Sequence, residues 1–340
     1  MKKSSYVNLH NKMEIKLIVI FLLLLVIAGF ASIFMGVKDI TFGNAISALF
    51  THKMKSSLAN SIIHKRILRT FFACLCGGAL GISGSLMQAV TRNPLADPSI
   101  LGINTGASFF VVCGLAFLHI STVSQYIGLA FVGALVAAGL VFGIVAIGHQ
   151  VNPLTLILSG TAVSIMFSSL VTTVTLVRQD AIDQFRFWQV GSLGTVTSQG
   201  MTFFIPIFVI GFLVAVCCAP GLNALMLGNE VAKNLGVNAT IINICACIAG
   251  IILCATATAL AGPIAFIGLL ATHCTRLLFG ADLRKVIPLS ALTGALFLTS
   301  ADVIGRLVSD STEINVGIIT SLVGAPVLIY LARRTKVQAA

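Results

Sequence analysis

The chain is 340 residues long, 57% hydrophobic and only 9% charged. A soluble protein carries about 25% charged residues, so a water-soluble globule is excluded and apolar surface must face lipid. The formal net charge of +11 does not mark a nucleic-acid binder, because the cations are scattered between apolar runs, where basic loops set membrane orientation.

In chain order, Met1–Lys16 is polar and basic (Lys2, Lys3, Lys12, Lys16) and leads into the apolar run Leu17–Phe34. That run is long for a signal-peptide core and lacks a clean small-residue cleavage site. It predicts a retained first transmembrane helix with the N-terminus in the cytoplasm; a cleaved signal peptide is the alternative. Thr41–Phe50 is too short to span and is expected at the outer surface. Further spans are expected near Ile67–Val90, Ser99–Leu118, Ser124–Ile147, Leu154–Val177, Met201–Ala219, Ala239–Leu260, Ile264–Phe279, Ile287–Ile304 and Val316–Leu331. The fold class is therefore an all-α polytopic membrane protein with about ten transmembrane helices. With neither an internal repeat nor a flexible linker, residues 1–340 read as one membrane domain.

Ten spans return the C-terminus (Arg333, Arg334, Lys336) to the cytoplasm. They place Arg92, Lys233, Arg276, Arg284 and Lys285 inside, as the positive-inside rule prefers. They also leave Lys53, Lys55, Lys65, Arg66, Arg69, Arg178, Arg186 and Arg306 outside, an excess that asks for a reason. The nine cysteines sit mainly in apolar segments, where they behave as small hydrophobes; neither a disulfide framework nor a zinc spacing emerges.

The most informative stretch runs from Arg66 to Ala107. Arg66 and Arg69 are three apart and share a helix face. The apolar helix that follows carries Gly77, Gly78, Gly81, Ser83 and Gly84, spaced for the close approach of another helix. Thr91-Arg92-Asn93-Pro94-Leu95-Ala96-Asp97-Pro98 then breaks it, and a new apolar helix starts just beyond. Asn93 and Asp97 suit bonds to the free backbone N–H groups of a turn, while Pro94 and Pro98 fix its entry. The Asn93–Pro98 loop thus has no catalytic logic, and Arg92, Asn93, Pro94, Asp97, Pro98 and Gly102 read as structural motif residues.

This series (Arg-x-x-Arg, the Gly-rich helix, Arg-Asn-Pro-Leu-Ala-Asp-Pro, then Ile-Leu-Gly) resembles the permease subunits of iron-siderophore, haem and cobalamin importers of the ABC type (FecCD-type). The resemblance continues to the C-terminus and covers nearly the whole chain. It implies the type II ABC importer transmembrane fold in a bacterial cytoplasmic membrane. It also implies a second permease copy or homologue, ABC ATPase subunits that carry ATP and Mg, and an extracytoplasmic substrate-binding lipoprotein or periplasmic protein. Docking of that binding protein falls on Arg66, Arg69 and Arg306, since guanidiniums clamp carboxylates bidentately; the plainer reading of each is a snorkelling anchor. Iron-siderophore cargo, the commonest in the family, ranks above haem and cobalamin, and nothing in the residues decides among them.

Leu154–Val177 is rich in Ser and Thr. Such hydroxyls commonly bond their own helix, and a hydroxyl-lined pathway is the sharper alternative. Gln184–Gly194 reads as a short outer surface helix, with Trp188 an interface anchor. Gly221–Asn238 reads as two short helical pieces broken at Gly228, with Asn229 an N-cap and Gly236 a C-cap. Leu225, Met226, Leu227, Val231 and Leu235 would be exposed unless a partner covers them. By resemblance this is the segment that couples to the ATPase, including Leu225, Leu227, Gly228, Asn229, Glu230, Val231, Leu235 and Gly236. Family members more commonly have an acidic residue where this chain has Asn229. Gly262-Pro263, with Gly268 following, resembles the family's broken segment at the transport pathway, although Thr272-His273 stands where the family usually has Pro-His. His273 and Arg276 read as helix-terminal packing rather than a proton relay.

No Gly-x-x-x-x-Gly-Lys-Ser/Thr cradle occurs, so no nucleotide is expected on this chain, and no catalytic or metal constellation stands out. A gradient-driven secondary transporter is the alternative. It would need carboxylates near mid-membrane, whereas Asp97, Asp180, Asp183, Glu230, Asp282, Asp302, Asp310 and Glu313 read as lying in loops or at helix ends. An intramembrane enzyme would need paired catalytic residues, which are missing.

Overall fold

The structure is a computed structural model that describes residues 2–35, 58–147, 153–179, 182–308 and 313–338. The expected surface element at Thr41–Phe50 lies outside the described residues, as do Lys53, Lys55, Asp180 and Asp310. Among the described residues there is no strand. The helices are α1 (Lys2–Phe34), α2 (Leu58–Thr91), α3 (Ile103–Phe117), α4 (Val123–Ile147), α5 (Pro153–Val177) and α6 (Ile182–Gln189). They continue as α7 (Ser198–Met226), α8 (Asn229–Asn234), α9 (Ala239–Ala261), α10 (Ile267–Phe279), α11 (Leu283–Leu307) and α12 (Val316–Gln338), with a 3₁₀ turn at Pro98–Leu101.

Each predicted span outside the surface element is a helix, and the differences lie in length. Seven helices are long and apolar enough to cross a membrane, while Ile103–Phe117, Ile267–Phe279 and Val316–Leu331 are shorter apolar helices. Crossing the hydrocarbon core takes about 20 residues, so the ten expected spans resolve into seven full-length helices and three short ones. Two of the short helices follow proline-bearing breaks, Pro94 to Pro98 before α3 and Gly262-Pro263 before α10. In the other direction, α7 outruns its expected end at Ala219. It contains both Pro206 and Pro220 and continues to Met226, burying Gly221, Leu222, Ala224 and Leu225 beyond the second proline. A proline inside a helix forfeits one backbone bond, and packing of neighbouring helices makes that tolerable in a membrane protein.

Helix α2 is the hub. It packs against α11, α9, α10, α7 and α1, and the α2–α11 pair is the most extensive in the molecule. The predicted small-residue stripe explains why. A Cβ on Gly77 would strike the Gly294 carbonyl, one on Gly81 the Ser290 carbonyl, and one on Gly84 the main chain of Gly268. The helices therefore meet backbone to backbone, which small residues permit and larger ones prevent. A second close approach joins α3 to α4, where Gly106 lies against the Gly133 carbonyl.

Helix α1 is the opposite case, with its apolar window almost wholly exposed. The apolar stretch Met13–Phe34 is fastened near both of its ends: Glu14 pairs with Lys285 at the start of α11 (2.7 Å), and Ser32 Oγ lies 2.6 Å from Thr70 Oγ1 of α2. At the Glu14 end, Asn223 of α7 donates to Asp282 Oδ1 (2.6 Å) and its own Oδ1 accepts from Leu283 N (3.0 Å). Asp282 caps α11 through the Arg284 amide. That amide, helped by Asn223, holds the Asp282 carboxyl below the usual carboxylate range.

Candidate functional site

At one end of the bundle the sequence-predicted arginines come together. Arg66 and Arg69 lie one turn apart on α2, and α11 brings Arg306 beside them. The acid at their centre is Asp302. Arg69 donates from Nε and Nη2 to Asp302 Oδ1 at 3.1 and 2.7 Å. Arg306 Nη2 stands 2.8 Å from Asp302 Oδ2, a charge contact without hydrogen-bond alignment. The remaining Arg69 arm, Nη1, reaches Glu313 Oε2 at 2.6 Å, and that glutamate side chain is 45% exposed.

The other two guanidiniums turn to the end of α1. Arg66 Nη1 donates to the carbonyls of Ile33 and Phe34 (3.1 and 3.2 Å). Arg306 donates to Ser32 O (2.8 Å), Met35 O (3.4 Å) and Ser32 Oγ (2.6 Å). The last carbonyls of a helix lack partners within it, and a cation there also opposes the negative end of the helix dipole. Arg306 is 4% exposed and Arg66 9%, so both are bonded into the fold rather than presented outward. Asp302 corrects the sequence reading in another way. It reads there as a helix-end acid, yet it is 2% exposed inside α11. The i, i+4 spacing of Asp302 and Arg306 was the available signal. This is a buried carboxylate, but one held between two guanidiniums rather than free to bind an ion.

At the other end lies the Gly221–Asn238 segment, which the sequence resemblance assigns to coupling. Its break is at Gly228, as expected, but the capping differs. Gly228 itself (φ 113°, ψ 151°) is the N-cap of α8 and makes no side-chain cap bond. Asn229 is the first residue of the helix, and its Oδ1 accepts from Arg92 Nη2 at 2.5 Å. Gly236 (φ 75°) follows the C-cap residue Leu235. There Gly236 N bonds Lys233 O (2.9 Å) and Val237 N bonds Ala232 O (2.9 Å), the paired closure that a left-handed glycine allows. Met226, Leu227, Val231 and Leu235 are exposed, Leu227 at 69%. Leu225 is not: it is 4% exposed, because α7 carries on past Pro220 and turns this side chain into the core.

The motif loop joins these parts. Asn93 Oδ1 accepts from Leu95 N and Asp97 Oδ1 from Ser99 N, both at 2.9 Å. Pro98 begins the 3₁₀ turn, and Gly102 (φ 74°) closes it and opens α3. The asparagine and aspartate thus do the turn-closing work read from the sequence. Gly102 lies against Val163 of α5, and the Ile100 carbonyl lies against Gly160.

The break after α9 is likewise present. Gly262 lies against the Trp188 carbonyl and Gly191 against the Pro263 carbonyl, with Ser192 N bonded to Ala261 O (2.7 Å). Phe266 then takes a left-handed conformation (φ 70°), costly for a residue with a Cβ. Gly268 seats against α2, and α10 runs unbroken through Thr272-His273, with Thr272 Oγ1 donating to Gly81 O at 3.3 Å. Among the described residues neither His273 nor Arg276 bonds a carboxylate, and no group of three His, Cys, Asp or Glu could hold a metal ion. Trp188, expected from the sequence as an interface anchor, is half-buried. It stacks on Phe185 (6.5 Å) and lines a cavity of about 260 Å³ with Tyr126, Phe187 and Ala261. On α5 the hydroxyls of Thr161, Ser164, Ser169, Thr172 and Thr173 each donate to the carbonyl four residues earlier. Most of that face remains exposed.

The chain matches the FecCD transport family over residues 24–334. It is 39% identical over 315 residues to the ferric enterobactin transport system permease protein FepD of Escherichia coli (strain K12), covering 92% of this chain and 93% of that protein. It is 37% identical over 317 residues to the iron(3+)-hydroxamate import system permease protein FhuB of Bacillus subtilis (strain 168), covering 93% and 82%. A solved structure described as an inward-facing conformation of a metal-chelate type ABC transporter matches with a TM-score of 0.79 at 26% identity, over 95% of this chain and 99% of that one.

Proposed function

The chain belongs to the FecCD transport family, as a multi-pass permease subunit of an ATP-driven importer in the inner membrane, and on that premise we propose that its cargo is an iron(III)-siderophore complex. The relatives' named cargoes, ferric enterobactin and iron(3+)-hydroxamate, support this above haem or cobalamin. An extracytoplasmic binding protein delivers the chelate to the end that carries Arg66, Arg69 and Arg306. Both chain termini lie in the cytoplasm. There α8 seats on an ATPase subunit, which holds the ATP and Mg, and a second permease copy or homologue completes the passage. The observation that carries the coupling role is α8 itself, a capped six-residue helix with Leu227, Val231 and Leu235 exposed around it. A solvated loop rarely carries such apolar side chains; a docking element does.

The test is uptake of labelled ferric siderophores, haemin and cobalamin by cells with and without the gene, after ATP depletion or after collapse of the proton gradient. Uptake of a ferric siderophore is expected to need both the gene and ATP, and Leu227→Asp is expected to reduce it at least tenfold by burying a charge against the ATPase. Uptake that survives ATP loss and follows the gradient would support a secondary transporter instead.

Docking at the arginine end has its own check. Arg66 and Arg306 hold the platform, and Arg69 with Glu313 forms the part a partner's carboxylate can reach. Glu313→Gln is expected to tighten binding of the extracytoplasmic protein about two- to fivefold, by freeing Arg69 from an exposed ion pair of about 0.5–1 kcal/mol. Titration of that protein against the reconstituted permease reads the change; unaltered affinity would place docking elsewhere.

A further inference from the structure

Arg92 follows the last residue of α2 in a left-handed backbone conformation (φ 50°), which a side chain with a Cβ keeps only where its surroundings hold it. From that position one guanidinium nitrogen, Nη2, donates to two acceptors at once: Leu225 O at 3.0 Å and Asn229 Oδ1 at 2.5 Å. The first belongs to the last turn of α7 and the second is the first residue of α8. One nitrogen therefore straddles the break at Gly228. That glycine has open space around it and is the natural pivot of the segment. Helix α8 packs mainly on α7 and α9. Among the described residues, Arg92 supplies the side-chain hydrogen bond that ties α8 to a distant part of the chain.

What lies behind Arg92 is stiff. Above it, α2 is locked to α10 at Gly84–Gly268 and to α11 at Gly81–Ser290, where no Cβ fits. After it, the Asn93 and Asp97 side chains close successive turns. The turn they form presses the Ile100 carbonyl onto Gly160 of α5. We infer that Arg92 is a positioning residue which carries movement of α8 into α2 and, through the Asn93–Gly102 turn, into α5. Without it, α8 can swing about Gly228 while the membrane helices stay where they are. This rests on α8 being the coupling segment. The test reads coupling, cargo moved per ATP, rather than activity alone.

The experiment uses the full assembly of permease, ATPase and binding protein in proteoliposomes, measuring ATP hydrolysed and ferric siderophore transported side by side. Arg92→Ala is expected to keep its ATPase subunits and hydrolyse ATP while cargo moved per ATP falls about tenfold, within the usual range of coupling between sites. Arg92→Lys, which offers a donor without the planar fork, is expected to restore part of the ratio. Asn229→Ala, which leaves the strained Arg92 backbone untouched, is expected to lower it in the same direction by a smaller factor. A merely structural fault would lower both rates together and leave the ratio intact. An unchanged ratio in both Arg92→Ala and Asn229→Ala overturns the inference, as does loss of the ATPase subunits from Arg92→Ala, which would make Arg92 a docking residue. If Leu227→Asp leaves ATPase association and transport intact, the coupling assignment fails instead, whatever Arg92 does.

Discussion

Asp302→Ala is expected to destabilise the folded chain by about 3–5 kcal/mol, the usual cost of removing one partner from a buried ion pair. Asp302 is 2% exposed and faces two guanidiniums, one on its own helix and one on α2. Removing it leaves Arg69 with Glu313 alone and Arg306 with the end of α1, so the loss falls on the packing of α1, α2 and α11 together. Arg306 still has three acceptors around Ser32 and Met35, which sets the effect toward the lower bound. Asp302→Asn keeps the shape and one acceptor and is expected to fall between the variant and the parent. Lys285→Ala makes the contrast: its side chain is 44% exposed and its pair with Glu14 is of the kind worth about 0–1 kcal/mol. Thermal unfolding of the purified chain in detergent orders the four proteins. A melting point for Asp302→Ala no lower than that of Lys285→Ala would mean the cluster is neutral to folding.

The second large effect belongs to the glycine stripe. Gly84→Val is expected to cost more than about 3 kcal/mol, the upper end of ordinary overpacking, because its Cβ would meet the main chain of Gly268 rather than a movable side chain. The strained Phe266 and the Gly262-Pro263 break stand directly before that contact, so α10 cannot simply slide to make room. Gly143→Ala in α4 is the matched control. Nothing lies within 4 Å of a Cβ built there, and alanine is favoured over glycine in a helix by about 0.5–1 kcal/mol. The yield of monodisperse protein after extraction, together with the melting point, separates the two. Equal behaviour would show that α2 and α10 do not meet backbone to backbone.

Much of this architecture is legible in the sequence because lipid imposes it. Long apolar runs must become helices when no water can satisfy the backbone, and a Gly-x-x-x-Gly spacing such as Gly77 and Gly81 has few other uses. The turn chemistry of Asn93 and Asp97 is equally local, and so is readable. What escaped was set by partners far away in the chain. Asp302 looks like an interfacial acid until α2 brings Arg69 from 233 residues away. Leu225 looks exposed because Pro220 suggests a helix end, and only the packing around α7 keeps the helix going. Asn229 looks like a cap because its type suits one; Gly228 takes the cap position, and the Asn229 side chain turns to Arg92.

The fastening of α1 to both α2 and α11 has a consequence for how the protein is made. Thr70 follows Ser32 by 38 residues, but the α11 partners of Glu14 and Ser32, Lys285 and Arg306, follow 271 and 274 residues later. At about 5–20 residues per second, that interval is roughly 15–55 s. Through most of synthesis α1 is therefore held in the bilayer by α2 alone, through Thr70 and Arg66, and it gains the contacts of Glu14 and Ser32 with α11 only when that helix arrives.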